Sequence, residues 1–281
     1  MTYALLDSGD GERLERFGDK ILVRPSSLAV WTKRLPVSNW MNIDARFDHK
    51  NRWQYYREPF EEWSCNLSDI TLILRLQRNG QVGFFPEHII IQSILDLEAP
   101  NSSLLNLFAY TGLASVLAVQ RGMNVTHVDT NKQVLSWVNT NMAANNNRLA
   151  EQKDRSMLAG SFRVILEDAI TFINREIRRK HTYDVIIADP PSFSRQIKNQ
   201  EQQEGVDLLQ ECFKLLPYLM KQGSVAIVSS HQLAFGVEGL ANLALDAFGD
   251  KISLQPLDLL ITESNSPRRL KCGVGVVIRV N

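Results

Sequence analysis

Two regimes of hydrophobic patterning divide the chain. Over residues 1–79 the apolar positions come in short alternating runs, as in DKILVR and LILRLQRNG, set among aromatics, arginines and turn residues. Alternation over a few residues marks strands with one buried face, so this region is expected to be a small, antiparallel, β-rich domain. From about Pro86 the period changes. HIIIQSILDLE has helical spacing and Pro100-Asn101 closes it.

Beyond that point wholly apolar runs alternate with helical ones. LLNLF (104–108), NVTHVDT, FRVILED, YDVIIAD, SVAIVSS and the final GVGVVIRV read as strands. LASVLAVQRG, KQVLSWVNTNMAANN, AITFINREIRRK and DLLQECFKLLPYLMKQG read as the helices between them, with Gly122 and Gly223 as expected helix stops. A strand apolar on both faces needs helices above and below it. The expected fold class is therefore α/β, with a doubly wound, mostly parallel, Rossmann-like sheet over residues 80–281.

Composition narrows the partners. The chain has 281 residues, 44% of them hydrophobic, and its 31 basic side chains balance 31 acidic ones. With no net charge, a nucleic acid would have to be met by a local basic patch. The candidates are REIRRKH (175–181), Arg195 with Lys198, and PRRLK (267–271), which contains Arg268; the first reads more simply as a solvated helix face. Cys65, Cys212 and Cys272 lie far apart and form no CxxC pair, which suits a reducing compartment and argues against a zinc site. The charged N-terminal stretch does not read as a signal peptide, and no apolar run approaches a membrane span. A cytoplasmic location is the expectation.

In doubly wound sheets the ligand lies beyond the carboxyl ends of the strands, where strand order reverses. Those ends carry FAYTG, then Asp129, then Glu167-Asp168, then Asp189-Pro190-Pro191. The first turn has only Gly112, not the GxGxxG that lets backbone approach a pyrophosphate, and no GxxxxGK[ST] occurs. A cofactor with an adenosine but no phosphate fits better, and S-adenosylmethionine is such a molecule. Asp129 could accept both ribose hydroxyls, and Asp168 the adenine amino group. A single acidic residue at a strand end is more often a helix cap. Acidic residues at three successive ends, the last of them within DPP, point to a shared crevice. In DPPSF, Asp189 supplies an acceptor, Pro190 and Pro191 fix the turn, and Phe193 can stack on a planar base. His231, after the fifth strand, reads as a base, a phosphate contact or a cap.

LNLFAYTGLASVLAVQRGMNVTHVDTN followed by DVIIADPPSF resembles the class I S-adenosylmethionine-dependent methyltransferases of the bacterial large-subunit rRNA group, which has cytosine-C5 and guanine-N7 members. The resemblance covers roughly residues 80–281. It implies a seven-stranded sheet whose last strand is antiparallel, RNA as substrate, and cofactor roles for Phe108, Tyr110, Thr111, Asp129, Asp168 and Asp189. Asn106, Gly112, Thr130 and Ala169 beside them are candidate contacts. GQVGFFPEH (80–88), with Phe85, resembles the segment that folds over the cofactor in that group. Cytosine-C5 members carry a cysteine after the fourth or fifth strand, where this chain has DPPSFSR and VSSHQLAF. Cysteine-dependent C5 chemistry is thereby disfavoured. Two other readings stay open: the same fold acting on a small molecule or protein, and a non-catalytic cofactor-binding protein.

Overall fold

The computed structural model describes residues 2–67, 69–151, 160–191, 201–232 and 236–281, the side chains of 146–151 and 201–207 excepted. They form two compact units, Met1–Ile89 with Thr140–Asn147 and Leu260–Cys272, and Ile90–Asn139 with Arg148–Leu259 and Gly273–Asn281.

The first unit holds β1 (Tyr3–Gly9), β2 (Glu12–Phe17), β3 (Lys20–Pro25), the short helix α1 (Val37–Met41), β4 (Ala45–Phe47), β5 (Trp53–Tyr55), β6 (Glu62–Leu67) and β7 (Ile70–Arg75). β1 to β5 make one sheet in chain order and β6 pairs with β7 in a second. The expected antiparallel pairing holds except between β3 and β4, which run parallel. Leu14, Val23, Trp40 and Ile43 form one core cluster, and Tyr3, Phe17 and Phe84 pack ring against ring with centroids 5.0 to 6.0 Å apart. Glu15 is buried there, gripped through both oxygens by Arg24 at 2.7 and 2.8 Å and by the Tyr3 hydroxyl at 3.0 Å. A buried carboxylate is tolerable only when its oxygens are satisfied in this way.

The second unit opens with α2 (Ile91–Leu95) and then alternates: β8 (Ser103–Leu107), α3 (Leu113–Gln120), β9 (Asn124–Asp129), α4 (Lys132–Glu151), β10 (Phe162–Leu166), α5 (Ala169–Arg178), β11 (Tyr183–Ala188), α6 (Glu201–Leu215), β12 (Met220–Ser230), α7 (Val237–Phe248), β13 (Ile252–Thr262) and β14 (Arg269–Val280), of which Thr140–Asn147 of α4, the end of β13 and the start of β14 belong to the first unit. The sheet order is β10-β9-β8-β11-β12-β14-β13, with β14 antiparallel to β12. The α/β, doubly wound, seven-stranded architecture expected from the sequence is the one observed. Val185, Ile186, Ile187 and Ala188 of the central strand β11 are buried, as a strand covered on both faces must be. α5 buries Ala169, Phe172, Ile173 and Glu176, one stripe at helical spacing, whereas α3 is buried from Leu113 to Val119, as a helix apolar all round requires. Within the first unit, Asn141 and Asn145 of α4 accept the amides of Ile73 and Thr71 at 2.8 Å, which satisfies the edge of β7.

One sequence expectation is corrected. Gly223 does not stop a helix: α6 ends at Leu215, a 3-10 turn follows over Leu216–Leu219, and Gly223 (φ +83°) lies inside β12. Pro217 has no amide to continue the α-helical ladder, so the break falls before the glycine.

Candidate active site

The strand register aligns the polar tips. Leu107 of β8 pairs with Val128 of β9 on one side and with Ala188 of β11 on the other; Asp129 pairs with Leu166, and Ala188 with Val228. The next level therefore reads Leu166, Asp129, Phe108, Asp189 and Ser229 across five adjacent strands, with Glu167 and Asp168 one and two residues beyond it. Strands lie about 4.8 Å apart, so Asp129 at the end of β9 and Asp189 just after β11 flank β8 at a separation of about 10 Å. The chain leaves β8 toward β9 on one side and returns at β11 on the other, so this row spans the point where strand order reverses.

The turn after β8 is held in an unusual conformation. Phe108 and Tyr110 have φ of 53° and 50°, and Gly112 has 90°. Two aromatic residues in the left-handed region cost roughly 1–3 kcal/mol each, so neighbouring contacts must impose the shape. Asp129 does so, accepting the Tyr110 amide on Oδ2 at 3.0 Å and the Asn131 amide on Oδ1 at 2.9 Å. At Gly112 a Cβ would come within 2.3 Å of Val138 Cγ2, so the turn is pressed onto α4.

A buried relay supports the same turn. Asn106 Nδ2 donates to Ser115 Oγ at 2.9 Å, and Ser115 Oγ lies 3.0 Å from His127 Nδ1. Ser115 can accept from Asn106 and, through its second lone pair or its hydroxyl proton, also bond His127 Nδ1. Burial pushes the His127 pKa down to about 4, against an opposing pull from the Tyr110 backbone, so the ring is neutral at physiological pH.

The remaining expected residues fall as follows. Asp168 caps α5, its Oδ1 accepting the Thr171 amide at 2.8 Å, and Ala169 is buried behind it. Thr111 is buried and Thr130 exposed. Asn106 is buried with its amide on Ser115. Asp189 accepts from Ser229 Oγ at 2.6 Å and lies 3.5 Å from His231 Nε2, so the structure brings His231 to the DPP carboxylate. Pro190 is buried and Pro191 exposed. Phe193, Arg195 and Lys198 lie outside the described residues. Phe85 and Arg268 belong to the first unit, where the Phe85 ring sits 5.6 Å from that of His88 and Arg268 donates to the Thr32 carbonyl at 2.9 Å. The sequence pattern alone does not mark Ser229 or His127. Both are small or polar residues inside apolar strands, which is the only local sign they leave.

The donor set suits an adenosyl cofactor. A carboxylate offers about four acceptor positions, and the Asp129 bonds described use one amide on each oxygen, leaving room for a diol. The cysteines are unsuited to nucleophilic work: burial raises Cys65 to about 11, and Cys212 and Cys272 to about 12, keeping all as thiols.

The family model for S-adenosylmethionine-dependent methyltransferases matches residues 19–265. The ribosomal RNA large subunit methyltransferase K/L of Vibrio parahaemolyticus is 29% identical over 229 residues, covering 79% of this chain and 30% of that protein. The protein of the same name from Shewanella amazonensis is 30% identical over 257 residues, covering 86% of this chain and 32% of its own length. The chain thus spans about a third of the curated relatives it matches. A solved S-adenosylmethionine-dependent methyltransferase from Agrobacterium tumefaciens is 28% identical with a TM-score of 0.86, covering 99% of this chain and 90% of that one.

Proposed function

The chain belongs to the S-adenosylmethionine-dependent methyltransferase family, and from that premise we propose that it methylates a base of RNA, with ribosomal RNA as the substrate. The observation that carries the catalytic part is the register that sets Asp129, Phe108 and Asp189 side by side at the reversal of strand order. The RNA part rests on the curated relatives, which are named as large-subunit rRNA methyltransferases.

When bound, the cofactor supplies an electrophilic methyl group on a sulfonium. Asp129, already fixed by the Tyr110 and Asn131 amides, accepts the ribose hydroxyls. Asp168, through the carboxylate capacity left by its cap, takes the adenine edge. Phe108 and Tyr110, forced to positive φ, line the crevice and help exclude water. Asp189 faces the target base and accepts a hydrogen bond from it, which orients the attacking nitrogen. Ser229 and His231 position Asp189. No thiolate is required, in keeping with the raised cysteine pKa values. Residues 1–79 are read as the substrate-binding domain.

Two measurements test this. Calorimetry with S-adenosylhomocysteine should give one site per chain; no binding would favour a degenerate, non-catalytic protein. Radiolabel from S-adenosylmethionine should enter rRNA taken from a strain lacking the gene. Cofactor binding without any transfer to RNA would move the substrate to a small molecule or a protein.

A further inference from the structure

The first unit carries a surface feature outside the cofactor crevice. Trp31, Arg268 and Arg269 line an open hollow of about 270 Å3. Ligand-engulfing pockets run to roughly 300–1,000 Å3, so an open space of this size suits one planar group lying on the surface.

Its walls are fixed by a hydrogen-bond scaffold. The Trp31 indole N–H donates to the Ser8 carbonyl at 2.9 Å and lies 3.1 Å from the Ser8 hydroxyl. Arg268 Nη1 donates to the Thr32 carbonyl at 2.9 Å and reaches the Ser8 carbonyl at 3.4 Å. Ser8 is itself clamped by the buried Glu263 carboxylate, through its hydroxyl at 2.6 Å and its amide at 3.0 Å. Trp31 also packs against the cluster of Leu5, Ala29, Ile261 and Leu270. Both the ring and the guanidinium are therefore held in place before anything binds.

The charge of the surroundings favours an anion. Arg269 is exposed, and Arg34 stands exposed three residues beyond Trp31. The acidic neighbours are largely absorbed: Asp7 by the amides of Arg34 and Leu35 and the Trp40 indole, Glu12 by Lys33 and Arg46, and Glu263 by Ser8. Asp10, whose amide donates to the Trp31 carbonyl, remains as an exposed carboxylate on the adjoining turn.

A held indole in a hollow lined by two arginines, one of them exposed, matches one nucleotide of a single strand, its base stacked on the ring and its phosphate met by arginine. We propose that Trp31, Arg268 and Arg269 form a single-stranded RNA subsite on the first unit, separate from the residues that hold the cofactor. This rests on the RNA reading above and deepens it by naming where the strand is held.

The test uses the full chain and a short fluorescein-labelled single-stranded RNA of mixed sequence, read by anisotropy over a range of salt. Wild-type protein should bind with a salt-dependent affinity. Arg269→Gln should weaken binding and shallow the slope of log affinity against log salt by about 0.7, the contribution of one phosphate contact to a single strand. Arg269→Lys should restore the slope. Trp31→Leu, which keeps apolar bulk but loses the ring, should weaken binding about tenfold with the slope unchanged, as loss of one stacked base does. S-adenosylhomocysteine affinity should stay at the wild-type value in Arg269→Gln, which also reports that the variant is folded. Wild-type affinity and slope in both Arg269→Gln and Trp31→Leu would overturn the subsite while leaving the RNA reading standing. Failure of the wild-type chain to bind RNA while it binds S-adenosylhomocysteine would overturn both.

Discussion

The amide of Tyr110 donates to Oδ2 of Asp129 at 3.0 Å, so the residue expected to hold the ribose also fixes the turn beside it. Loss of the carboxylate should therefore act twice, through the lost acceptor and through the relaxed turn. Asp129→Ala is expected to weaken S-adenosylhomocysteine binding by roughly 10- to 100-fold, in line with about 1.5–3 kcal/mol for hydrogen bonds to a charged group. Calorimetry on the two proteins checks this.

Asp189 stands on the other side of the row, bonded to Ser229 and near His231. Asp189→Ala should spare cofactor affinity far more than turnover. Single-turnover rates and S-adenosylhomocysteine affinity, measured side by side, decide it. Equal losses in both would remove the role assigned to Asp189.

Gly112→Ala places a Cβ at 2.3 Å from Val138 Cγ2 on a backbone with φ of 90°. Overpacking and backbone strain together should cost about 2–4 kcal/mol of stability. Adding Val138→Ala should return the steric part and leave the backbone part. A urea-unfolding double-mutant cycle separates the two.

His127 is expected to make stability depend on pH. Its folded pKa, about 4, lies below the ordinary value of 6.5, so the unfolded chain binds the extra proton between those values. The contribution is complete above pH 6.5 and is lost as pH falls toward 4. At pH 5 it should amount to about 2 kcal/mol less stability than at pH 7. His127→Gln should lack this increment, so the difference between wild-type and variant urea midpoints should shift between pH 7 and pH 5.

The cysteines should be dispensable for chemistry. A chain with Cys65, Cys212 and Cys272 all changed to Ala should retain methyl transfer per folded molecule, because each thiol is held protonated by burial. Loss of transfer in a folded, cofactor-binding variant would point to a thiolate step.

Much of the second unit could be read from the chain because a strand buried on both faces leaves an unbroken apolar run, and an aspartate ending that run stands out. The positions of Asp129 and Asp189 at strand ends are legible for that reason. His127 is not, because within NVTHVDT it looks like one more alternating strand position, and only the fold brings Ser115 and Asn106 to it. Asp168 was read as a cofactor contact with a cap as its rival, and the cap is present in the structure. α7 and β13 were not singled out, since VEGLANLALDAF and ISLQPLDLLIT carry no strong start signals. That Thr140–Asn147 and Leu260–Cys272 group with the N-terminal strands was beyond local pattern altogether, because such contacts join segments far apart in the chain.

The claim on which the account rests is that the aligned tips of β8, β9, β10 and β11 form the adenosyl site. A crystal structure of the chain with S-adenosylhomocysteine tests it most directly. The account predicts both ribose hydroxyls within about 3 Å of the Asp129 carboxylate, with the sulfur turned toward Asp189. A ligand bound elsewhere, with Asp129 touching neither hydroxyl, would contradict it.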